Sequence, residues 1–149
     1  MTYQKVSASG LVINKKGQIL LLKRADNDDF LPGVYGLPGG GTDFMEDPAK
    51  GLEREIQEEC GIRVDIKHPL TAFSFSMPHE GVEKHTVEIV YLCYMTKKQK
   101  IKLSFEHSEY IWSTFEEISQ LSTTEFMINL IANLKNHPLL IPKYAKISL

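Results

Sequence analysis

A chain of 149 residues, 42% hydrophobic and 24% charged, can supply the core of one globular domain spanning residues 1–149, and shows no fibrous or disordered bias. A net charge of −2 and a pI near 6.2 remove the general electrostatic case for a nucleic-acid partner. No apolar run approaches the roughly eighteen residues of a membrane span, and the N-terminus lacks the order of a secretory leader, so a cytoplasmic protein without a membrane partner is expected.

The predicted elements begin with a hairpin: KVSASGLVI (5–13) and QILLLKR (18–24) flank NKKG, where Asn14 and Gly17 bring turn chemistry. The polar ADNDDFLPGV (25–34) reads as a loop. DIKHPLTAFSFSM (65–77) and HTVEIVYLCYM (85–95) alternate or run apolar and form the strands of a sheet core, with PHEGVEK (78–84) as a longer turn between them. EYIWST (109–114) is a shorter strand and FEEISQL (115–121) a short helix. In TTEFMINLIANLKN (123–136), Phe126, Ile128, Leu130, Ile131 and Leu134 fall near helical spacing, and HPLLIPKYAKISL (137–149) is an irregular tail.

The best-signposted helix lies over about 48–60. Asp47 before Pro48 is an N-cap ahead of a first-turn proline, and Gly61 sits where a left-handed C-terminal residue belongs. Ala49, Leu52, Ile56 and Cys60 share one apolar arc, while Glu55, Glu58 and Glu59 fall on the adjoining flank. Like charges at i and i+4 oppose a helix by a few tenths of a kcal/mol, so this crowding needs an offset. One reading is a solvated face with Arg54 and Lys50 as surface partners. The other joins the helix to the GLPGGG turn just upstream: oxygen donors on a rigid helix beside a glycine-loop carbonyl suit Mg²⁺ or Mn²⁺, ions that complete their shells with phosphate.

Gly40, five residues, Glu46, seven residues, then Arg54-Glu55-Ile56-Gln57-Glu58-Glu59-Cys60-Gly61-Ile62 resembles the complete signature box of the Nudix hydrolase superfamily. At about 7% for each fixed position, chance agreement is on the order of 10⁻⁸ per starting point. LLLKR, YGLPGG and EYIWSTFEEI resemble the family's layout on either side, although Tyr35 stands where many members carry tryptophan, and Gly51 where alanine is common. The resemblance implies an α/β fold, a Nudix-type α/β/α sandwich with a mixed sheet, in which the box forms a strand-loop-helix unit. It further implies that Glu55, Glu58 and Glu59 ligate Mg²⁺, with Mn²⁺ as a substitute, helped by the Gly40 carbonyl. Glu46 would be peripheral, and Arg54 would orient Glu55. A further carboxylate, as ligand or general base, is expected in EHSEYIW, Glu106 ahead of Glu109. Arg24, Tyr35, Gly39 and Gly40 are the substrate-binding candidates, and Lys23 is assigned to the surface.

The implied reaction is hydrolysis of a P–O–P linkage in a nucleoside diphosphate joined to another group. The leading substrate is a nucleoside triphosphate of the MutT type, oxidised purine nucleotides included, giving a nucleoside monophosphate and pyrophosphate. ADP-ribose or a nucleotide sugar, suggested by Pro78 sixteen residues beyond Ile62, and a dinucleoside polyphosphate are alternatives within enzymes. A nucleotide sensor of the same fold that does not cleave is the alternative outside them; loss of Arg54 or a box glutamate would have pointed there, and none is lost. Many relatives dimerise, so a homodimer is expected. Cys60 and Cys93 read as packed thiols, and the lysine run 97–102 as a solvated connection. His79, His85 and His107 read as surface or hydrogen-bonding residues. Trp112, Phe73, Phe75, Tyr91 and Tyr94 are assigned to the sheet core, with one aromatic on the cleft side able to stack a base.

Overall fold

The computed structural model describes residues 2–27 and 31–137. Seven strands form one mixed sheet: β1 (Thr2–Ile13), β2 (Ile19–Arg24), β3 (Tyr35–Gly36), β4 (Gly39–Gly41), β5 (Asp65–His79), β6 (Val82–Tyr94) and β7 (His107–Ser113). Helix α1 is Pro48–Cys60, α2 is Glu125–Lys135, and a 3₁₀ turn covers Glu117–Gln120. The strand order is β3-β2-β1-β6-β5, with β4 paired to β1 and β7 to β2. Strand β1 lies inside the sheet, parallel to β6 from Thr2 opposite Glu83 to Ile13 opposite Tyr94. Its C-terminal half is buried on both faces, as its nearly unbroken apolar run requires.

Each face carries its own core. Alternate residues Leu11 and Ile13 of β1, Val90, Leu92 and Tyr94 of β6, and Leu70 of β5 pack beneath Met127, Leu130, Ile131 and Leu134 of α2. On the other face Ala8, Val12, Leu20, Leu22 and Cys93 meet Leu52, Ile56 and Cys60 of α1. The result is the expected α/β/α sandwich. Cys60 and Cys93 are buried free thiols, each pushed up to about 12 by burial. None of the described helices is long and apolar enough to cross a membrane.

Several local expectations are corrected. The hairpin between β1 and β2 exists only at Ile13 opposite Ile19. Beyond that pair the strands splay, because β4 takes the β1 edge at Ser7 to Ser9 and β3 takes the β2 edge at Leu22 and Lys23. Gly10 donates its N–H to the Pro38 carbonyl at 2.9 Å, so GLPGGG (36–41), read as a turn, belongs with Tyr35 to a wedge of two short strands. The longer turn at 78–84 shrinks to Glu80-Gly81. Both residues have positive φ, 51° and 75°, the conformation of a two-residue hairpin loop whose twist matches the strands. Pro78 therefore lies inside β5, opposite Glu83. Finally, within 115–121 the 3₁₀ turn covers Glu117–Gln120, and the 109–114 strand begins two residues earlier, at His107. Strand β5 is the outermost strand beside β6. It carries Pro69 and Pro78, and its register shifts twice, between Ile66 and His68 and between Pro69 and Thr71. The tail from 138 onward and the Phe126 side chain lie outside the described residues.

Candidate active site

Helix α1 starts and stops where its sequence directs. The Asp47 side chain accepts the Ala49 N–H at 2.9 Å, Pro48 opens the first turn, and Gly61 takes the left-handed conformation at φ 68°. With the apolar arc pinned to the sheet, Glu55 and Glu59 turn toward β4. The approach is close: a Cβ on Gly40 would stand 2.7 Å from the Glu55 carboxyl carbon. Gly39 donates its N–H to Glu59 Oε1 at 2.9 Å, so this backbone group holds the helix carboxylate. A Cβ on Gly39 would meet the Ala8 carbonyl oxygen at 2.2 Å, and its φ of 151° disfavours any side chain.

Arg54 organises the anionic flank. Its guanidinium forms a two-point fork with Glu46, Nε to Oε2 and Nη2 to Oε1, both at 3.0 Å. Nη1 reaches Glu55 Oε1 at 3.1 Å and Glu58 at 3.3 Å, and Nη2 donates to the Gly41 carbonyl at 3.3 Å. The fork, joined by the Asp43 N–H at 2.9 Å, holds the Glu46 carboxyl down at about 2 and raises the arginine in turn. Glu46 sits close over Gly51, where a Cβ would come within 2.8 Å of its Oε1, so the glycine leaves the fork room. The solvated-face reading holds for Lys50, which pairs with exposed Glu53 at 3.6 Å, and fails for Arg54.

Glu59 is the most buried carboxylate of the group, 4% exposed. Burial pushes it up to about 8 against the pull of the Gly39 N–H, and the neighbouring charges of Glu55 and Glu106 push the same way. Burial also raises Glu55, opposed by Arg54. Glu106 thus shares an electrostatic field with Glu55 and Glu59, whereas the Glu109 carboxylate accepts a hydrogen bond from the Tyr35 hydroxyl. Burial and that carboxylate raise the Tyr35 phenol to about 12. Lys23, assigned to the surface, is partly exposed and holds its Nζ 5.9 Å from the Tyr35 ring centroid.

His107, read as a surface or hydrogen-bonding residue, is buried, with Nδ1 3.5 Å from Glu59 Oε2. A register shift between Lys23 and Arg24 sets it opposite Arg24, a bulge that no periodicity in the sequence announces. Arg24, His107 and the three glycines of β4 line a cleft of about 420 Å³ that opens over the sheet face beside α2. Phe75, assigned to the core, is instead 37% exposed along this cleft and stacks on Phe73 with ring centroids 6.3 Å apart. Glu88 of β6 also lines it and was missed. The signal lay in the alternation Thr86, Glu88, Val90, Leu92, where one charge interrupts an inward-facing stripe.

The donor chemistry fits a hard divalent cation. Glu55, Glu58, Glu59 and Glu106 are oxygen donors; the charges of Glu55 and Glu106 add to the burial that raises Glu59, and a cation would relieve that repulsion. Arg54 already shows one positive group reaching both Glu55 and Glu58. Among the described residues, however, no three acidic, histidine or cysteine side chains close on a common point; Glu58 faces Arg54, and Glu59 faces Gly39.

Residues 3–134 match the NUDIX domain family. The chain belongs to that family. A "MutT-like protein" of Streptomyces ambofaciens is 33% identical over 130 residues, 85% of this chain and 74% of the relative. "Nucleoside triphosphatase NudI" of Escherichia coli is 28% identical over 114 residues, 72% of this chain and 80% of the relative. Among solved structures, a MutT protein from Methanosarcina mazei Go1 superposes with a TM-score of 0.79 at 28% identity, covering 90% of this chain and 94% of that one. The protein is accordingly a Nudix pyrophosphohydrolase, acting on nucleoside diphosphate derivatives in a family that generally uses divalent metal ions.

Proposed function

We propose that this Nudix enzyme hydrolyses nucleoside triphosphates, oxidised purine nucleotides included, to a nucleoside monophosphate and pyrophosphate, with Mg²⁺ as its ion and Mn²⁺ as a substitute. One observation carries the reading: the box carboxylate Glu59 is hydrogen-bonded to the glycine strand that lines a cleft, and that cleft presents an aromatic face in Phe75. Similarity to relatives named MutT-like and nucleoside triphosphatase supports the triphosphate over other diphosphate derivatives.

In this reading Glu55, Glu58, Glu59 and Glu106 hold the ion beside the Gly40 backbone. When bound, it neutralises the diphosphate and acidifies a water for attack at phosphorus. Arg54 fixes the orientation of Glu55 and Glu58 through the Glu46 fork. Arg24, on the cleft wall, meets the phosphate chain, and Gly39 and Gly40 let that chain approach the backbone closely. For the carboxylate outside the box we favour Glu106, which shares the field of Glu55 and Glu59, over Glu109, which accepts a hydrogen bond from Tyr35.

Chromatography of products from a panel of triphosphates, ADP-ribose, nucleotide sugars and dinucleoside polyphosphates, with and without Mg²⁺, tests the assignment. Metal-dependent release of monophosphate and pyrophosphate is expected. Glu55→Gln and Glu58→Gln should each lower turnover by orders of magnitude with an unchanged circular-dichroism spectrum. Full turnover in both variants would overturn the site.

A further inference from the structure

We propose that Glu88 is the specificity-determining residue of the cleft, accepting hydrogen bonds from the N1–H and 2-amino donors of a guanine-type base. The inference rests on the nucleotide-hydrolase reading and names its substrate class. Position comes first. Glu88 lies opposite Ser7 of β1, and Ser7 lies opposite Gly41 of β4, so all three share one row across the sheet. Two strand spacings, about 10 Å, separate the glycine strand from Glu88. A ribose and a base ring span that gap when the phosphates sit at β4.

The surroundings fit a base edge. Phe75 is two residues beyond Phe73, the β5 partner of Glu88, and offers its exposed ring to the same cleft. Met77, Leu37 and Met127 add apolar walls. Burial raises the Glu88 carboxyl against a hydrogen bond from the Ser9 side chain, and a carboxylate with two oxygens has acceptor sites left for further donors. Among the described residues no ion pair to Glu88 is found, while Lys5 and Lys84 line the cleft and keep its field cationic. An ionised carboxylate is an acceptor only. Of the common bases, guanine alone presents two adjacent donors on its pairing edge; adenine and cytosine present a donor beside an acceptor, and uracil one donor between two acceptors.

The test compares GTP, ITP, ATP and UTP as substrates, and GMP, IMP and AMP as ligands by calorimetry, for the parent protein and Glu88→Gln. In the parent, GTP should exceed ATP in kcat/KM and GMP should bind about 10-fold or more tighter than IMP, which lacks the 2-amino donor. Glu88→Gln should cut kcat/KM for GTP about 10- to 100-fold, chiefly through KM, with a smaller loss on UTP, whose base offers a single donor, and with the melting temperature retained. Equal loss on every nucleotide, a parent preference for ATP, or GMP binding no tighter than IMP binding would overturn the inference. The last comparison needs only the parent and stands even if the variant fails to fold. Hydrolysis of triphosphates without guanine selectivity sinks this proposal and spares the function. Guanine-selective binding with no hydrolysis of any triphosphate does the reverse.

Discussion

At the scale of single residues, the site depends on how one buried carboxylate is charged. Glu59 has a folded value of about 8 against the 4.5 of a free glutamate, so the folded state holds its proton to higher pH than the unfolded chain does. Its contribution to stability is therefore fully present below about pH 4.5 and is lost as pH rises through 8. Metal-free protein should lose melting temperature from pH 5 to pH 8, and Glu59→Gln should flatten that slope; added Mg²⁺ should do the same for the parent. Thermal melts across this range check both. Arg54 governs the neighbouring pair. Arg54→Lys keeps the charge and loses the fork to Glu46, and should lower activity or metal affinity about 10- to 100-fold, measured as kcat/KM against Mg²⁺ concentration.

At the scale of elements, the decisive piece is the three-residue strand β4. It parts β1 from β2, walls the cleft and supplies the N–H that holds Glu59. Gly39→Ala forces a Cβ into the Ala8 carbonyl and should destabilise the fold by about 1–3 kcal/mol or more by urea denaturation, with activity falling further than stability explains. Helix α1 was legible to the residue, because caps and apolar arc are local chemistry: Asp47, Pro48 and Gly61 announce it without help from the rest of the chain. The wedge was not, because GLPGGG carries turn chemistry, and its two short strands exist only through Gly10, Ser9 and Leu22 elsewhere in the chain. The box itself was legible from residue spacing, whereas the place of His107 was not, and Glu88 showed only as one charge in an otherwise inward-facing stripe. Their place in the site comes from a bulge in one strand and from parallel pairing between distant ones.

At the scale of the whole molecule, β1 couples the two cores, sending Leu11 and Ile13 to one face and Ala8 and Val12 to the other. We expect residues 1–149 to unfold as one unit. Trp112, packed against the α1 side, should report the same denaturation midpoint by fluorescence as far-ultraviolet dichroism reports for the whole chain. Two separated midpoints would contradict a single domain. The outer strand β5 has a different bearing, on how the molecules behave toward one another. A sheet edge is a template for another chain's backbone, and steady, unbroken edges seed ribbons and fibres. Here the edge lacks an N–H at Pro69 and at Pro78, and its register breaks twice within a few residues. A neighbouring strand finds no even row of donors to copy, so crowded solutions of this protein should resist growth by strand addition.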